Sequence, residues 1–294
     1  MIYDVRQVTT YRYASKVAYA HHVLRLTPID RPRQRVHAAA LDVRPLPVER
    51  REGFDFFGNR MTWISLDQPH DVLIVTVAAR VAVEGARGTA SGGVPWEDVR
   101  EDAFGATDLG PRSPAHFLFA SRQVPLDPEI RDYAAASFPA GRPILDGAIE
   151  LMRRIKEDFT YEVGVTTAST TPPMSFALRS GVCQDFAHIM ISGLRGLGLP
   201  AGYVSGYLRT VPLGATPRLE GADAMHAWVM IWAGPEGGWH GLDPTNAVLA
   251  GEDHVVLAVG RDYADASPVD GVVFASGRQK LSVAVAVTPV GAPE

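Results

Sequence analysis

The chain has 294 residues, of which 46% are hydrophobic and 21% are charged, as is typical of a soluble folded protein with two modest domains. The 28 basic and 33 acidic residues give a net charge of -5, and no segment is rich in Lys or Arg, so nucleic acid is not an expected partner. Cys183 is the only cysteine, which excludes an intramolecular disulfide and a cysteine-rich zinc site.

The N-terminal residues show no basic start followed by a long apolar run, so we expect no secretory signal. No stretch reaches the ~18 uninterrupted apolar residues of a membrane-spanning helix, so we expect no membrane partner. A cytoplasmic location is the default expectation.

Residues 1–85 are predicted to form an antiparallel β domain. Tyr3, Val5 and Tyr11 are strand-forming residues in partial alternation, and residues 70–83 are rich in β-branched side chains. Turn signals separate these segments, and no helical period is visible. An antiparallel sheet or sandwich is therefore the expected structure, and we expect it to shape substrate access without supplying a catalytic group.

Residues 86–125 lack a clear period and are predicted to connect two domains. The segment 85–99 is rich in glycine and polar residues, which is typical of a surface loop. Large apolar side chains indicate that the connector is partly packed against the rest of the protein: Trp96, Phe117, Leu118 and Phe119.

Residues 126–275 are predicted to form an α+β core, because helical periods come first and strands follow. One helix begins at Asp127-Pro128, a second follows Leu145, and a third contains Cys183 in its first turn and ends near Gly198. Strands are then predicted at 203–209, 225–232 and 239–246, with a loop rich in Gly and Pro between the first two. In the tail, 276–294, residues 281–287 alternate strictly, and we favour pairing of this strand with the N-terminal sheet.

A nucleophilic cysteine benefits from the position of Cys183. Free backbone N–H groups and the helix dipole at a helix start favour the thiolate over the thiol, and the same N–H groups can hold an oxyanion. A histidine that shares the thiol proton and an acceptor that fixes its tautomer would complete a triad. His226 lies on one predicted strand and Asp243 at the end of the next, about two positions apart across a hairpin.

The chain resembles the transglutaminase-like superfamily, in particular bacterial members with an N-terminal β domain. The resemblance rests on residues that match the nucleophile, histidine and aspartate motifs of the family and two further segments: GVCQDFAHIM (181–190), DAMHAWVMIW (223–232), GWHGLDPTN (238–246), GRDYADASPVDG (260–271), and FDFFGNR (54–60) with PHDVLIV (69–75). It implies a papain-like core and acyl transfer through a thioester on Cys183. The family includes cross-linking enzymes, peptidases, amidases and inactive members.

From these residues we predict a cysteine-dependent amide or peptide hydrolase with Cys183, His226 and Asp243 as the triad, acting on a peptide or protein amide. Transamidation to an amine and an inert papain-like binding module are the alternatives. No cofactor or metal is expected, although a zinc site built from Cys183, His188, His226 or His240 is the rival chemistry. The oligomeric state stays open.

Four further residues are candidate substrate contacts. Gln184 and Asp185 follow the nucleophile, where they would line the cleft or support the helix start. Tyr207 and Trp228 lie on the strands beside His226, where a large aromatic side chain is more often part of the core than of a substrate wall.

Overall fold

The computed structural model describes residues 1–85, 93–209 and 225–291. The Gly-rich part of the predicted connector at 86–92, the predicted loop at 210–224, and the last three residues of the tail lie outside the described residues. Over the described ranges the chain forms a β sandwich and a core. In the core, helices pack on an antiparallel sheet whose strands differ in length. None of the helices in these ranges is long and apolar enough to span a bilayer.

The strands are β1 (Ile2–Val17), β2 (Tyr19–Leu24), β3 (Gln34–Arg44), β4 (Glu49–Phe54), β5 (Arg60–Leu66), β6 (His70–Val83), β7 (Thr160–Tyr161), β8 (Ser180–Gly181), β9 (Ala201–Leu208), β10 (Met225–Trp232), β11 (Trp239–Asp243), β12 (Val248–Leu249), β13 (His254–Gly260), β14 (Val269–Phe274) and β15 (Gln279–Pro289). The helices are α1 (Trp96–Phe104), α2 (Pro128–Ala135), α3 (Ile144–Asp158), α4 (Pro172–Leu178), α5 (Cys183–Gly196), α6 (Gly234–Gly237) and α7 (Tyr263–Ala266).

The sandwich consists of two antiparallel sheets in the described residues, in the orders β15-β1-β6-β3 and β14-β2-β5-β4. Strand β6 shows why they pack face to face, because Leu73, Val75 and Val77 alternate with more exposed residues and are fully buried. They join a cluster that includes Ile64 and Leu66 of the opposite sheet. Burial of one face of each sheet is the main stabilising contribution.

The C-terminal strands complete this sandwich. Strand β15 pairs with β1 along its length. The alternating tail therefore joins the N-terminal sheet, the partner favoured by the sequence analysis. Strand β14 pairs with β2, so the predicted core range 126–275 is corrected at its end: residues 269–274 belong to the sandwich. A six-residue strand with few buried side chains carries no sequence signal for the sheet edge on which it pairs.

The core is built around α5, which is buried from Asp185 to Arg195. Its side chains pack with those of the other helices and with Ala227, Val229 and Ile231 of β10 in one cluster. Close packing of α2 on α5 depends on Gly193, where a Cβ atom would lie 2.8 Å from the Cβ of Ala134. The core sheet has the order β12-β11-β10-β9-β13, so β13 lies at one edge among the described strands.

The connector is more ordered than its sequence indicates. The connector contains α1, which buries Val99 and Ala103, one turn apart, and exposes most of its charged residues. A helix this short with only two buried positions gives too weak a period for detection. Phe117 and Leu118 are buried as expected, but Phe119 is 60% exposed, so that part of the packing prediction is wrong.

Two side-chain amides join the sandwich to the exposed edge of β13. Gln34 donates from Nε2 to the carbonyl of Val256 (2.8 Å) and accepts the N–H of Val256 through Oε1 (2.7 Å). Asn59 forms the same pair with Val259, with distances of 2.7 and 2.8 Å. Both side chains are buried. They therefore replace the neighbouring strand that an edge lacks.

We predict that Gln34→Leu lowers the free energy of unfolding by about 2 kcal/mol, because it leaves the N–H and C=O of the half-buried Val256 without their side-chain partners. Urea unfolding of the full chain measures this difference. Gln279→Leu, on the exposed end of β15, is the matched control and should change stability by less than about 0.5 kcal/mol. Equal losses in the two variants would contradict a structural role for the amide pair.

Candidate active site

Cys183 is the first residue of α5, and a buried carboxylate fixes this helix start. Asp185 Oδ2 accepts the N–H of Val182 (2.8 Å) and the hydroxyl of Thr166 (2.6 Å). Gly181 makes room for it, since a Cβ there would lie 2.7 Å from Asp185 Oδ2. Burial raises the pKa of Asp185, partly offset by these two hydrogen bonds. Of its two predicted roles, the structure gives Asp185 support of the helix start.

His226 and Asp243 meet across neighbouring antiparallel strands. The register between β10 and β11 pairs Val229 with Leu242, so Asp243 follows opposite Trp228, two positions from His226. His226 Nε2 lies 2.9 Å from Asp243 Oδ2, and both side chains are fully excluded from solvent. The structure therefore brings these two predicted residues together in a buried pair.

Asp243 accepts hydrogen bonds on both carboxylate oxygens. Oδ2 faces His226 Nε2, Asn246 Nδ2 (2.7 Å) and His254 Nε2 (3.3 Å), and Oδ1 accepts the N–H groups of Thr245 (3.0 Å) and Asn246 (3.2 Å). Burial would raise the pKa of Asp243, but the charges and hydrogen bonds of the two histidines outweigh it and hold the pKa well below its usual range. The carboxylate is therefore ionised at neutral pH.

His226 has one ring nitrogen left over. Its Nδ1 is buried and has no nitrogen or oxygen partner among the described residues. Burial would lower the pKa of His226, but the charge and hydrogen bond of Asp243, with a smaller contribution from Cys183, raise it well above the usual value. The Cys183 contribution includes a hydrogen bond between the half-buried thiol and the ring. Nδ1 is thus the nitrogen available to the cysteine.

His254 is a site residue that the sequence analysis missed. Its Nδ1 accepts the N–H of Gly251 (3.3 Å), so in the neutral ring the proton is on Nε2, which points to Asp243. It starts β13, which is separated from β10 by β9 in the sheet. Nothing in the sequence around His254 indicates this neighbour, because the register of three strands brings it there.

The other candidate contacts lie in different surroundings. Gln184 is half-buried and donates to the carbonyl of Ala168 (3.4 Å). Tyr207 is fully buried, and its hydroxyl bonds to Gln7 of the sandwich, so it joins the domains and offers no surface to a substrate. Trp228 is buried with its ring stacked near His226 at a centroid distance of 6.1 Å.

The histidines of the rival zinc site are engaged elsewhere. His188 is buried and accepts the N–H of Tyr263 at Nε2 (3.2 Å), and burial lowers its pKa to about 4. His240 Nε2 lies 3.1 Å from the carbonyl oxygen of Gly237. Neither histidine is oriented to join Cys183 and His226 in one ligand set, and no group of metal-ligand side chains is formed by the described residues.

Other proteins resemble this chain in sequence and in fold. The sequence profile of the bacterial transglutaminase-like N-terminal region matches residues 3–82, and that of the transglutaminase-like superfamily matches residues 132–244. An uncharacterized protein of Mycobacterium tuberculosis is 36% identical over 296 residues, which cover 98% of this chain and 92% of that protein.

Of two further matches, one covers a smaller part of the chain and the other has a lower sequence identity. A protein-glutamine gamma-glutamyltransferase of Pseudomonas aeruginosa is 38% identical over 102 residues, which are 33% of this chain and 15% of that protein. A solved structure described as a candidate cysteine protease, from Cytophaga hutchinsonii, superposes with a TM-score of 0.73 at 22% identity, covering 100% of this chain and 92% of that one. This likeness extends the agreement to the whole fold.

The expected fold class, an α+β papain-like core with an N-terminal antiparallel β domain, is confirmed by the fold neighbour and the family matches. With the mycobacterial relative spanning nearly the full chain, the protein belongs to the transglutaminase-like superfamily.

Proposed function

We propose that this protein is a cysteine-dependent hydrolase of amide or peptide bonds, with Cys183 as nucleophile, His226 as general acid and base, and Asp243 as the group that orients His226. The observation that carries the proposal is the buried bond between His226 Nε2 and Asp243. It leaves Nδ1 without another described partner, beside a cysteine at the start of a buried helix. This combination is what a thiolate nucleophile requires.

The charges of the site favour an imidazolium beside the Cys183 sulfur before substrate binds. Asp243 is ionised and raises the pKa of His226, so the ring holds its proton through neutral pH. The N-terminal turn of α5 adds a favourable field for a negative sulfur. Burial excludes water from the ion pair of His226 and Asp243. The half-buried thiol stays within reach of a substrate.

The reaction then has two steps. The Cys183 thiolate attacks the amide carbonyl carbon, and the backbone N–H of Cys183 at the helix start stabilises the oxyanion. The intermediate expels the amine, which takes the proton of His226, and a thioester remains. His226, now neutral, removes a proton from water, which attacks the thioester, and the carboxylic acid product leaves with the thiolate restored.

Hydrolysis is the simpler outcome, because water is always available to resolve the thioester. Transfer to an amine is the second candidate, and the resemblance of about a third of this chain to a protein-glutamine gamma-glutamyltransferase favours it. An inert binding module is the third alternative. The inert alternative fits poorly with a fully bonded, buried carboxylate that contacts two histidines, one of which faces Cys183.

A peptide-library screen separates the three functions. The wild type is incubated with the library, and cleavage is followed by mass spectrometry with and without a dansylated primary amine. Cleavage without amine incorporation supports the hydrolase, and amine incorporation in excess of cleavage would show the transferase. Cys183→Ala should abolish either reaction. A library that the wild type leaves unchanged would favour the inert binding module.

We predict that iodoacetamide labels Cys183 rapidly at pH 6, because His226 retains its proton there and stabilises the thiolate. An ordinary thiol with a pKa of about 8.5 is less than ~1% ionised at that pH. His226→Ala should slow the labelling about ten-fold or more, measured by mass spectrometry. His37→Ala, an exposed histidine of β3, should label like the wild type. Equal rates in all three proteins would contradict an activated thiolate.

We also predict that His254 is a positioning residue that acts through Asp243. His254→Leu removes the Nε2 donor to Asp243 and should lower kcat about ten-fold with little change in KM, because partners of this kind orient a reacting group. His254→Gln, which keeps an N–H donor, should recover most of kcat. A loss that His254→Gln does not recover, or one that appears in KM alone, would assign His254 to packing.

A further inference from the structure

A second concave site lies behind the His226–Asp243 pair. It is a cavity of about 380 Å³ between the sandwich and the core sheet, and its walls include Phe57 of the sandwich and Trp228 and Trp239 of the core. Cys183, His226 and Asp243 are not among the described residues that line it. A cavity of this size with aromatic walls suits a small molecule with a flat or apolar body.

The polar lining of this cavity is mainly positive. Arg31, Arg33 and Arg112 all line it, and none of them forms a salt bridge with a described residue. The lining carboxylates are Asp30 and Glu84, and both residues are exposed. The acids therefore lie at the edge, and three guanidinium groups share one concave surface without a carboxylate bound to any of them.

The carboxylates nearest to Arg31 are already engaged. Asp30, at the edge of the cavity, accepts the N–H of Val36 (2.7 Å) and faces Arg35, which is not a lining residue, at 3.5 Å. Asp55 binds Asn59 through both oxygens and faces Arg25 at 3.4 Å. Arg31 donates to Asn59 Oδ1 (2.8 Å) and Arg33 to the backbone carbonyl of Glu84 (3.4 Å), both neutral oxygens, so the cavity arginines have no carboxylate counter-ion among the described residues.

The positive groups influence one another across the cavity. Burial lowers the pKa of Arg31, Asp55 partly opposes this, and Arg112 lowers it further. Burial also lowers the pKa of His240, another lining residue, and Arg33 adds to that decrease. Three positive side chains on one concave surface favour an anion there.

We propose that this cavity binds a small carboxylate with an apolar body and that its occupancy alters the His226–Asp243 pair. The guanidinium groups recognise the carboxylate through charge-assisted hydrogen bonds, for which their planar geometry is suited. The tryptophan and phenylalanine rings hold the apolar body. Phosphate or sulfate, which have no such body, would leave the aromatic walls uncovered.

The cavity shares two residues with the surroundings of the pair. Trp228 lines it and stacks near His226, and His254 lines it and bonds to Asp243. The rings of Trp228 and His254 also contact each other, with centroids 5.1 Å apart. A ligand packed against Trp228 therefore changes the positions of two groups that orient His226. This second half of the inference rests on the proposed function, and the binding half does not.

Calorimetric titration tests the binding. We expect phenylacetate to bind the wild type saturably and phenylacetamide, which lacks the charge, to bind far more weakly. Arg112→Gln, at an exposed part of the lining, should raise the Kd of phenylacetate about ten-fold, as expected for loss of one charged contact. Arg122→Gln, an exposed arginine outside the lining, is the matched control and should leave Kd unchanged. Absence of saturable binding, equal binding of the amide, or normal binding by Arg112→Gln would overturn the proposal.

Labelling of Cys183 tests the coupling and keeps it separate from the proposed function. Saturating phenylacetate should change the iodoacetamide rate at least two-fold in the wild type and not in Arg112→Gln. Saturable binding with an unchanged rate would overturn the coupling. If Cys183 without ligand reacts no faster than free cysteine, the proposed function fails, while the titration result still decides whether the cavity binds a carboxylate.

Discussion

A buried negative charge, the Asp243 carboxylate, is the constraint on which the arrangement of the core depends. An ionised carboxylate excluded from water is stable only when donors surround it, and here they come from β10, from the turn after β11 and from β13. The core sheet must therefore hold four strands, β11, β10, β9 and β13, in a fixed register. The donors that satisfy this charge include the one histidine that also faces Cys183, so the same contacts that stabilise the interior prepare the site.

The sandwich contributes to this arrangement from a distance. Strand β13 carries His254 and lies at the edge of the described core sheet, where it has a strand on one side only. Gln34 and Asn59 bond to its outer side and hold it against β9. The sandwich supplies no donor to Asp243 itself among the described contacts. Its effect on the site passes through the position of β13 and through the walls of the interdomain cavity.

The sequence predicts the parts of the site that local patterns encode. A cysteine followed by a helical period indicates its place at a helix start, and two strands joined by a short turn indicate that His226 and Asp243 are neighbours. It does not predict His254 or the sandwich pairing of residues 269–274, because both depend on which strands pair over long separations. Tyr207 shows the same limit. Its spacing on β9 is that of any strand residue, and only the packing of the sandwich on the core decides that it is buried beside Gln7.

The sandwich is also discontinuous in the chain, with a consequence for the order of folding. Strands β1 to β6 are synthesised first, whereas their edge partners β14 and β15 emerge only after the whole core. Until then β1 and β2 each present an open edge of unpaired backbone groups, which is a surface for wrong association on the ribosome. Closing the sandwich joins residues more than 250 positions apart, such as Val5 and Val287. This long-range pairing makes completion of the sandwich a late and intrinsically slow event in the life of each new molecule.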